Sequence, residues 1–255
     1  NTTADNNTAI GHSALGTNST GANNNAVGSG SLAANSTGSQ NNVVGVDALK
    51  SNTTGNSQNA FGYEALMSLT TAGGGTAFGH KAGRAAQVNI CAMGAESAFK
   101  TSTGAYNSAF GNYSLSENTT GTRNTAVGYL SLYTQTTSSY NTAVGYEALK
   151  LNSGGTANVA VGDGALKANT TGGSGVAVGF YALYSNTTGS NNTAIGRGSL
   201  STNTTGASNA ALGYQALTNN TTGDQNTAVG LEALALNTTA SNNCAIGYYA
   251  LRANT

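Results

Sequence analysis

A short apolar run, Ala-Val-Gly or Ala-Ile-Gly, recurs along the chain. Ala-Leu follows it, then an uncharged polar stretch built on Asn-Thr-Thr-Gly. Registered on the glycine after the aliphatic residue, the copies fall at Gly11, Gly28, Gly45, Gly62, Gly79, Gly94, Gly111, Gly128, Gly145, Gly162, Gly179, Gly196, Gly213, Gly230 and Gly247. Thirteen of the 14 intervals are 17 residues, and the interval from Gly79 to Gly94 is 15. The consensus unit is N-T-A-V-G-Y-x-A-L-x-x-N-T-T-G-x-x. Two before the glycine stands Ala in every copy except Val43. One before it is always apolar, three after it is always Ala or Ser, and four after it is Leu except at Gly83 and Ala98.

A unit of this size cannot fold alone. Ordering its backbone costs about 1–2 kcal/mol per residue, whereas two buried aliphatics return only ~1.5–3 kcal/mol each. The units must stack on one another, as in a solenoid. Helical repeats need more residues, and Asn-Thr-Thr-Gly would break a helix. The pattern therefore predicts an all-β solenoid, a β-roll of about 15 coils with a 17-residue repeat, over residues 1–255. Short strands and tight turns would place each column as a ladder with a step of ~4.8 Å, giving a rod of roughly 70 Å. Asn suits such ladders because its amide donates to one neighbour and accepts from the other. The constant glycines suit positive φ. The absence of Pro leaves every ladder N–H available. The aliphatic column before the glycine and the Leu column are expected inside. The column two after the glycine, with Asp47, Glu64, Glu96, Glu147 and Glu232, is expected in solvent.

The repeat Asn141 to Leu149, Asn-Thr-Ala-Val-Gly-Tyr-Glu-Ala-Leu, and Asn192 to Gly196, Asn-Thr-Ala-Ile-Gly, resemble the head repeats of trimeric autotransporter adhesins. The longer unit, with Asn-Thr-Thr-Gly between cores, is similar to repeats of bacteriophage and bacterial tail fibres. This resemblance covers nearly the whole chain. It implies a homotrimeric fibre or adhesin segment that presents a binding tip, located extracellularly, on a cell surface or on a virion. Adhesin head units are usually shorter than this one, so loop geometry is expected to differ. The sequence begins and ends in phase and shows no polar cap, neck, stalk, anchor or chaperone. That favours a segment of a longer fibre, or a subunit of an end-to-end filament.

Charge and composition narrow the partners. Nine basic and nine acidic residues cancel, which removes the usual electrostatic case for nucleic acid. No apolar run approaches the ~18 residues of a membrane span, and Asn1-Thr2-Thr3-Ala4 opens no charged-then-apolar leader. The expected partners are the chain itself, as a homo-oligomer or filament, and a host-surface glycan or protein. No nucleic acid and no membrane insertion are expected.

Candidate chemistry is sparse. His12 and His80 lie four coils apart, roughly 19 Å, too far to share a metal. Cys91 and Cys244 share a column at roughly 43 Å, so an intrachain disulfide is excluded. Acidic residues form no close pair at glycosidase spacing. Gly73-Gly74-Gly75 lacks the context of a phosphate loop, and Asp is too rare for a calcium-binding solenoid. Neither an enzyme nor a cofactor or metal site is expected. Asn-x-Ser/Thr triplets at Asn18, Asn52, Asn118, Asn186, Asn203 and Asn237 match the N-glycosylation pattern, although a turn column of side-chain-to-backbone hydrogen bonds accounts for them equally. An ice-binding face would need repeated Thr-x-Thr, which is missing. The one irregular stretch, residues 72–104, loses two residues and the Asn-Thr-Thr-Gly turn. It gathers His80, Lys81 and Arg84, a candidate anion-binding spot or kink set against a merely shortened loop.

Overall fold

The computed structural model describes residues 4–254. It divides into two compact units, residues 1–123 and 124–255. The first carries β1 (Thr8–Ile10), β2 (Asn25–Val27), β3 (Asn42–Val44), β4 (Asn59–Phe61), β5 (Thr76–Phe78), β6 (Cys91–Met93) and β7 (Ser108–Phe110). The second carries β8 (Thr125–Val127), β9 (Thr142–Val144), β10 (Val159–Val161), β11 (Val176–Val178), β12 (Thr193–Ile195), β13 (Ala210–Leu212), β14 (Thr227–Val229) and β15 (Cys244–Ile246). Within each unit, successive strands pair in parallel, with like columns in register: Thr8 with Asn25, Val159 with Val176. The fold is an all-β parallel solenoid with a 17-residue coil, and no helix occurs among the described residues.

Each strand is three residues long because the next residue is the turn glycine, whose φ lies between 126° and 145°. A Cβ there would also strike the next coil: at Gly28 it would lie 2.5 Å from the Gly45 oxygen. The glycine of Asn-Thr-Thr-Gly is favoured for a different reason. Its φ is ordinary, but a Cβ on Gly38 would lie 2.5 Å from the Gly55 oxygen. Backbone touches backbone at both places, which favours glycine; the first column is glycine in every coil, whereas the second also admits Ala72, Ser138 and Ala240.

Axial hydrogen bonds continue around the coil beyond the strands, as in Leu32 N to Ala48 O, Asp47 N to Ser29 O and Thr53 N to Thr70 O. They hold an unusual turn. The Leu column has φ between 46° and 53°, a region that costs a non-glycine residue about 1–2 kcal/mol. The strain persists because the axial bonds and the burial of each Leu over-determine it. Leu32 through Leu234 in this column are sealed from solvent.

The interior differs from expectation at one column. The alanine two before the glycine is buried, whereas the aliphatic residue one before it points out. Strand alternation allows only one of the two to face inward. The inside place is narrow, and the smaller residue takes it: Ala in every coil but one, where Val43 is buried there. The Ala or Ser three after the glycine is also buried, and where it is Ser, as at Ser31 and Ser199, its hydroxyl donates to the turn glycine carbonyl.

The rest of the core is polar. Asn seven after the glycine is buried, and its Nδ2 donates to the Oδ1 of the Asn one coil earlier. In the second unit this ladder runs Asn169 to Asn152, Asn186 to Asn169, Asn203 to Asn186, Asn220 to Asn203 and Asn237 to Asn220, at 2.8–2.9 Å. The same Nδ2 atoms also donate to the glycine carbonyl three residues on. A second buried Asn column, four before the turn glycine, accepts a backbone N–H of the next coil, as Asn141 does from Asn158 N. These amides belong to the core rather than to a solvent-facing turn.

The shortened coil keeps its strand register, Thr76 with Cys91 and Phe78 with Met93. The deletion removes the Thr-Gly of the turn, and the core is rebuilt from apolar residues. Leu69 and Ala86 stand in the first Asn column and Ile90 in the second. Gly83 replaces Leu because Ile90 fills the space: a Cβ on Gly83 would lie 2.5 Å from Ile90 Cδ1.

Candidate functional site

The outward column before the turn glycine is apolar in every coil: Ile10, Val27, Val44, Phe61, Phe78, Met93 and Phe110 in the first unit, Val127 through Ile246 in the second. In the second unit, exposure is 36% at Val161 and Val178 and 42% at Ile195. Phe61 and Phe78 stack face to face at 4.6 Å. A monomer gains nothing from such a stripe, and contiguous exposed apolar surface marks an interaction face.

Beyond the turn glycine runs a column rich in exposed aromatics. Tyr129 stacks on Tyr146 at 5.6 Å, and Tyr63 on His80 at 5.4 Å. Register alone places these rings one step apart, so stacking follows from the repeat. In the second unit Arg197 occupies this column, between the rings of Phe180 (5.6 Å) and Tyr214 (5.7 Å).

The next columns carry charge. Glu147 accepts from Lys150 of its own coil and Lys167 of the next, each at 2.6 Å. Burial opposes its ionisation, but the hydrogen bonds from the two ammonium groups outweigh that and hold the carboxyl below its ordinary range. The side chain is only 10% exposed, so this member of the column is less solvated than the sequence suggested. Lys167 is raised by its hydrogen bond to Glu147, then by that to Tyr184.

His80, Lys81 and Arg84 are brought together around Tyr63 and Glu64. Lys81 Nζ lies 5.9 Å from the Tyr63 ring centre. Arg84 Nε is paired with Glu64 Oε2 at 2.5 Å, which neutralises the most strongly cationic member of the candidate anion spot. Burial disfavours the Glu64 carboxylate, yet hydrogen bonds from Arg84 and Tyr63 prevail and lower it.

The six candidate glycosylation asparagines, Asn18, Asn52, Asn118, Asn186, Asn203 and Asn237, all stand in the first buried Asn column. Each Nδ2 is buried and donates to the glycine or alanine carbonyl three residues on, and a glycan would replace one of its two N–H groups and have to pass through the core. The folded coil has no room for it. The Thr pair of the turn also splits. The first hydroxyl donates to the next coil, as Thr204 does to Thr221 O at 3.0 Å, and the second residue is exposed. Cys91 and Cys244 are free thiols, and burial pushes the Cys91 thiol up. Among the described residues no group of three His, Cys, Asp or Glu could hold a metal ion, and no helix is long and apolar enough to cross a membrane.

One feature escaped the sequence reading. A cavity of about 160 Å³ in the second unit is lined by Phe180, Tyr181, Arg197, Gly198, Ser201, Gln215 and Thr218. The available signals were Gly198, one of three glycines in a column that mostly carries larger side chains, and Arg197 in the aromatic column. Compared with family models, with curated proteins and with solved structures, the chain matches none.

Proposed function

We propose that the chain is a structural fibre or adhesin segment that acts outside a cell or on a virion and self-associates as a homotrimer through its outward aliphatic column. The observation that supports this reading is the constancy of that column: every coil spends an aliphatic or aromatic side chain on a position that faces solvent in the single chain. Covering a half-exposed Val or Ile returns on the order of 1 kcal/mol, and the stripe repeats that gain coil after coil. Parallel copies facing a common axis would bury it along its length, with Thr, Ser and Val of the first strand position beside it. The assembled fibre has no catalytic role in this reading. Its partners are its own copies and a surface ligand.

Sedimentation equilibrium tests the proposal. The wild-type chain is expected at three times the chain mass at micromolar concentration. The triple variant Val161→Lys, Val178→Lys, Ile195→Lys is expected at the mass of one chain, with an unchanged circular-dichroism spectrum. A wild-type chain that sediments as a monomer sinks the proposal.

A further inference from the structure

The column two after the turn glycine holds three glycines, Gly30, Gly164 and Gly198. The first two are covered. The Asp47 carboxylate closes over Gly30, and the ring of Tyr181 leans back over Gly164, within 2.7 Å of where a Cβ would stand. Gly198 is more open, because the corresponding residue of the next coil is Gln215, whose side chain does not fold back over it. Its nearest neighbour is Gln215 Cγ, 3.4 Å from the would-be Cβ. The cavity of about 160 Å³ opens there.

Its walls are chemically specific. Phe180 and Tyr181, stacked on each other at 3.9 Å, make up its apolar wall. The Arg197 guanidinium lies between the rings of Phe180 and Tyr214. Lys50, Arg84, Lys100, Lys150, Lys167 and Arg252 each pair with a carboxylate, whereas Arg197 has no such partner among the described residues. Stacking satisfies the faces of a guanidinium and leaves its N–H edge to offer a two-pronged donor. Ser201 Oγ and Thr218 Oγ1 lie 3.0 Å apart and retain hydrogen-bonding capacity. The Gln215 amide makes no hydrogen bond within the chain among the described residues.

We propose that this notch binds a sugar ring carrying a carboxylate. The carboxylate pairs with Arg197, the C–H groups of the ring lie against the Phe180–Tyr181 wall, and its hydroxyls bond Gln215, Ser201 and Thr218. A divalent cation has no carboxylate to hold it here. A phosphate, with more charge, would meet a single cation. A neutral apolar ligand would desolvate Arg197 without compensation. The volume admits one ring rather than a chain of sugars. The site lies within one unit, goes beyond the structural reading and stands whether or not copies associate.

Calorimetric titration of the full chain with methyl glucuronide, methyl glucoside and benzoate tests it. Methyl glucuronide is expected to bind with a dissociation constant of about 1 mM, and the other two at least tenfold more weakly. Arg197→Gln removes the charge. Gly198→Gln fills the notch with a residue the same column tolerates at Gln215, where φ is 52°. Ser201→Met fills it from the other side with the residue its column carries at Met67. Each variant is expected to lose at least tenfold in affinity while keeping the wild-type melting curve, and at least one filler must fold for the comparison. No binding of the glucuronide, equal binding of glucoside or benzoate, or full affinity in Arg197→Gln or in a folded filler would overturn the assignment. Sedimentation of the same samples reads self-association separately.

Discussion

The coils of the second unit and the shortened coil of the first solve one packing problem in opposite ways. From Asn152 to Asn237 the interior beside the Leu column is a run of amides, each bonded to its neighbours along the axis and to a glycine carbonyl in its own coil. Around Leu69, Ala86 and Ile90 the same places are apolar, and the turn of the coil that holds Ala86 and Ile90 is two residues shorter. A buried amide ladder is stable only when every member is satisfied. Where the turn loses two residues, both amide positions of that coil are exchanged together, for Ala86 and Ile90. The change is concerted: Ile90 enters, and Leu becomes Gly at position 83 to admit it. Polar and apolar cores are interchangeable in this coil by block, not by residue.

Single substitutions should break the two regions unequally. The largest effect is expected at Asn203→Leu. It removes the donor to Asn186 Oδ1 and to Gly206 O and the acceptor for Asn220 Nδ2, stranding buried partners at a cost of about 3–5 kcal/mol. Urea unfolding with amide exchange in the second unit measures it, and a loss under about 1 kcal/mol would show that the ladder is not cohesive. Next comes Gly83→Leu, which restores the consensus but overpacks against Ile90 and Leu66 at about 1–3 kcal/mol or more. Adding Ile90→Ala should recover much of the loss. Strict additivity in that double-mutant cycle would reject the exchange of volumes between the two sites.

The smallest effect is electrostatic. Glu147 and Glu64 titrate below their ordinary value of 4.5 in the folded chain. Their contribution is therefore present above pH 4.5 and is lost as pH falls through the lowered folded values. Melting temperature should be flat from about pH 5 to 8 and fall below about 4.5, and Glu147→Gln should flatten part of that fall. An unchanged acid limb in Glu147→Gln would remove the ion pairs with Lys150 and Lys167 from the account.

Much of the fold is legible because a parallel in-register stack maps period directly onto pairing. The spacing from Gly11 to Gly28 already fixes which residues are neighbours, Ala9 with Ala26 and Ile10 with Val27. The need for glycine at the turn and the burial of Leu follow from the same columns. The direction of the strand side chains was not legible. Alternation says that Ala160 and Val161 face opposite ways but not which is inside, and the usual preference for burying the larger residue misleads in a coil this narrow. Nor does polarity show that Asn203 lies in the core, since an amide in a turn and an amide in a ladder read alike. The notch at Gly198 depends on whether the next coil's side chain folds back over a glycine, as Tyr181 does over Gly164 and Gln215 does not over Gly198.

By itself, then, the sequence determined the coil length, the stacking register and the identity of each ladder, because these depend on periodicity and on backbone sterics. The tertiary structure decided which face of the coil is inside, how the shortened coil restores its core and where one glycine leaves an open notch. Those outcomes depend on volumes and hydrogen-bond partners that meet only when one coil lies against the next.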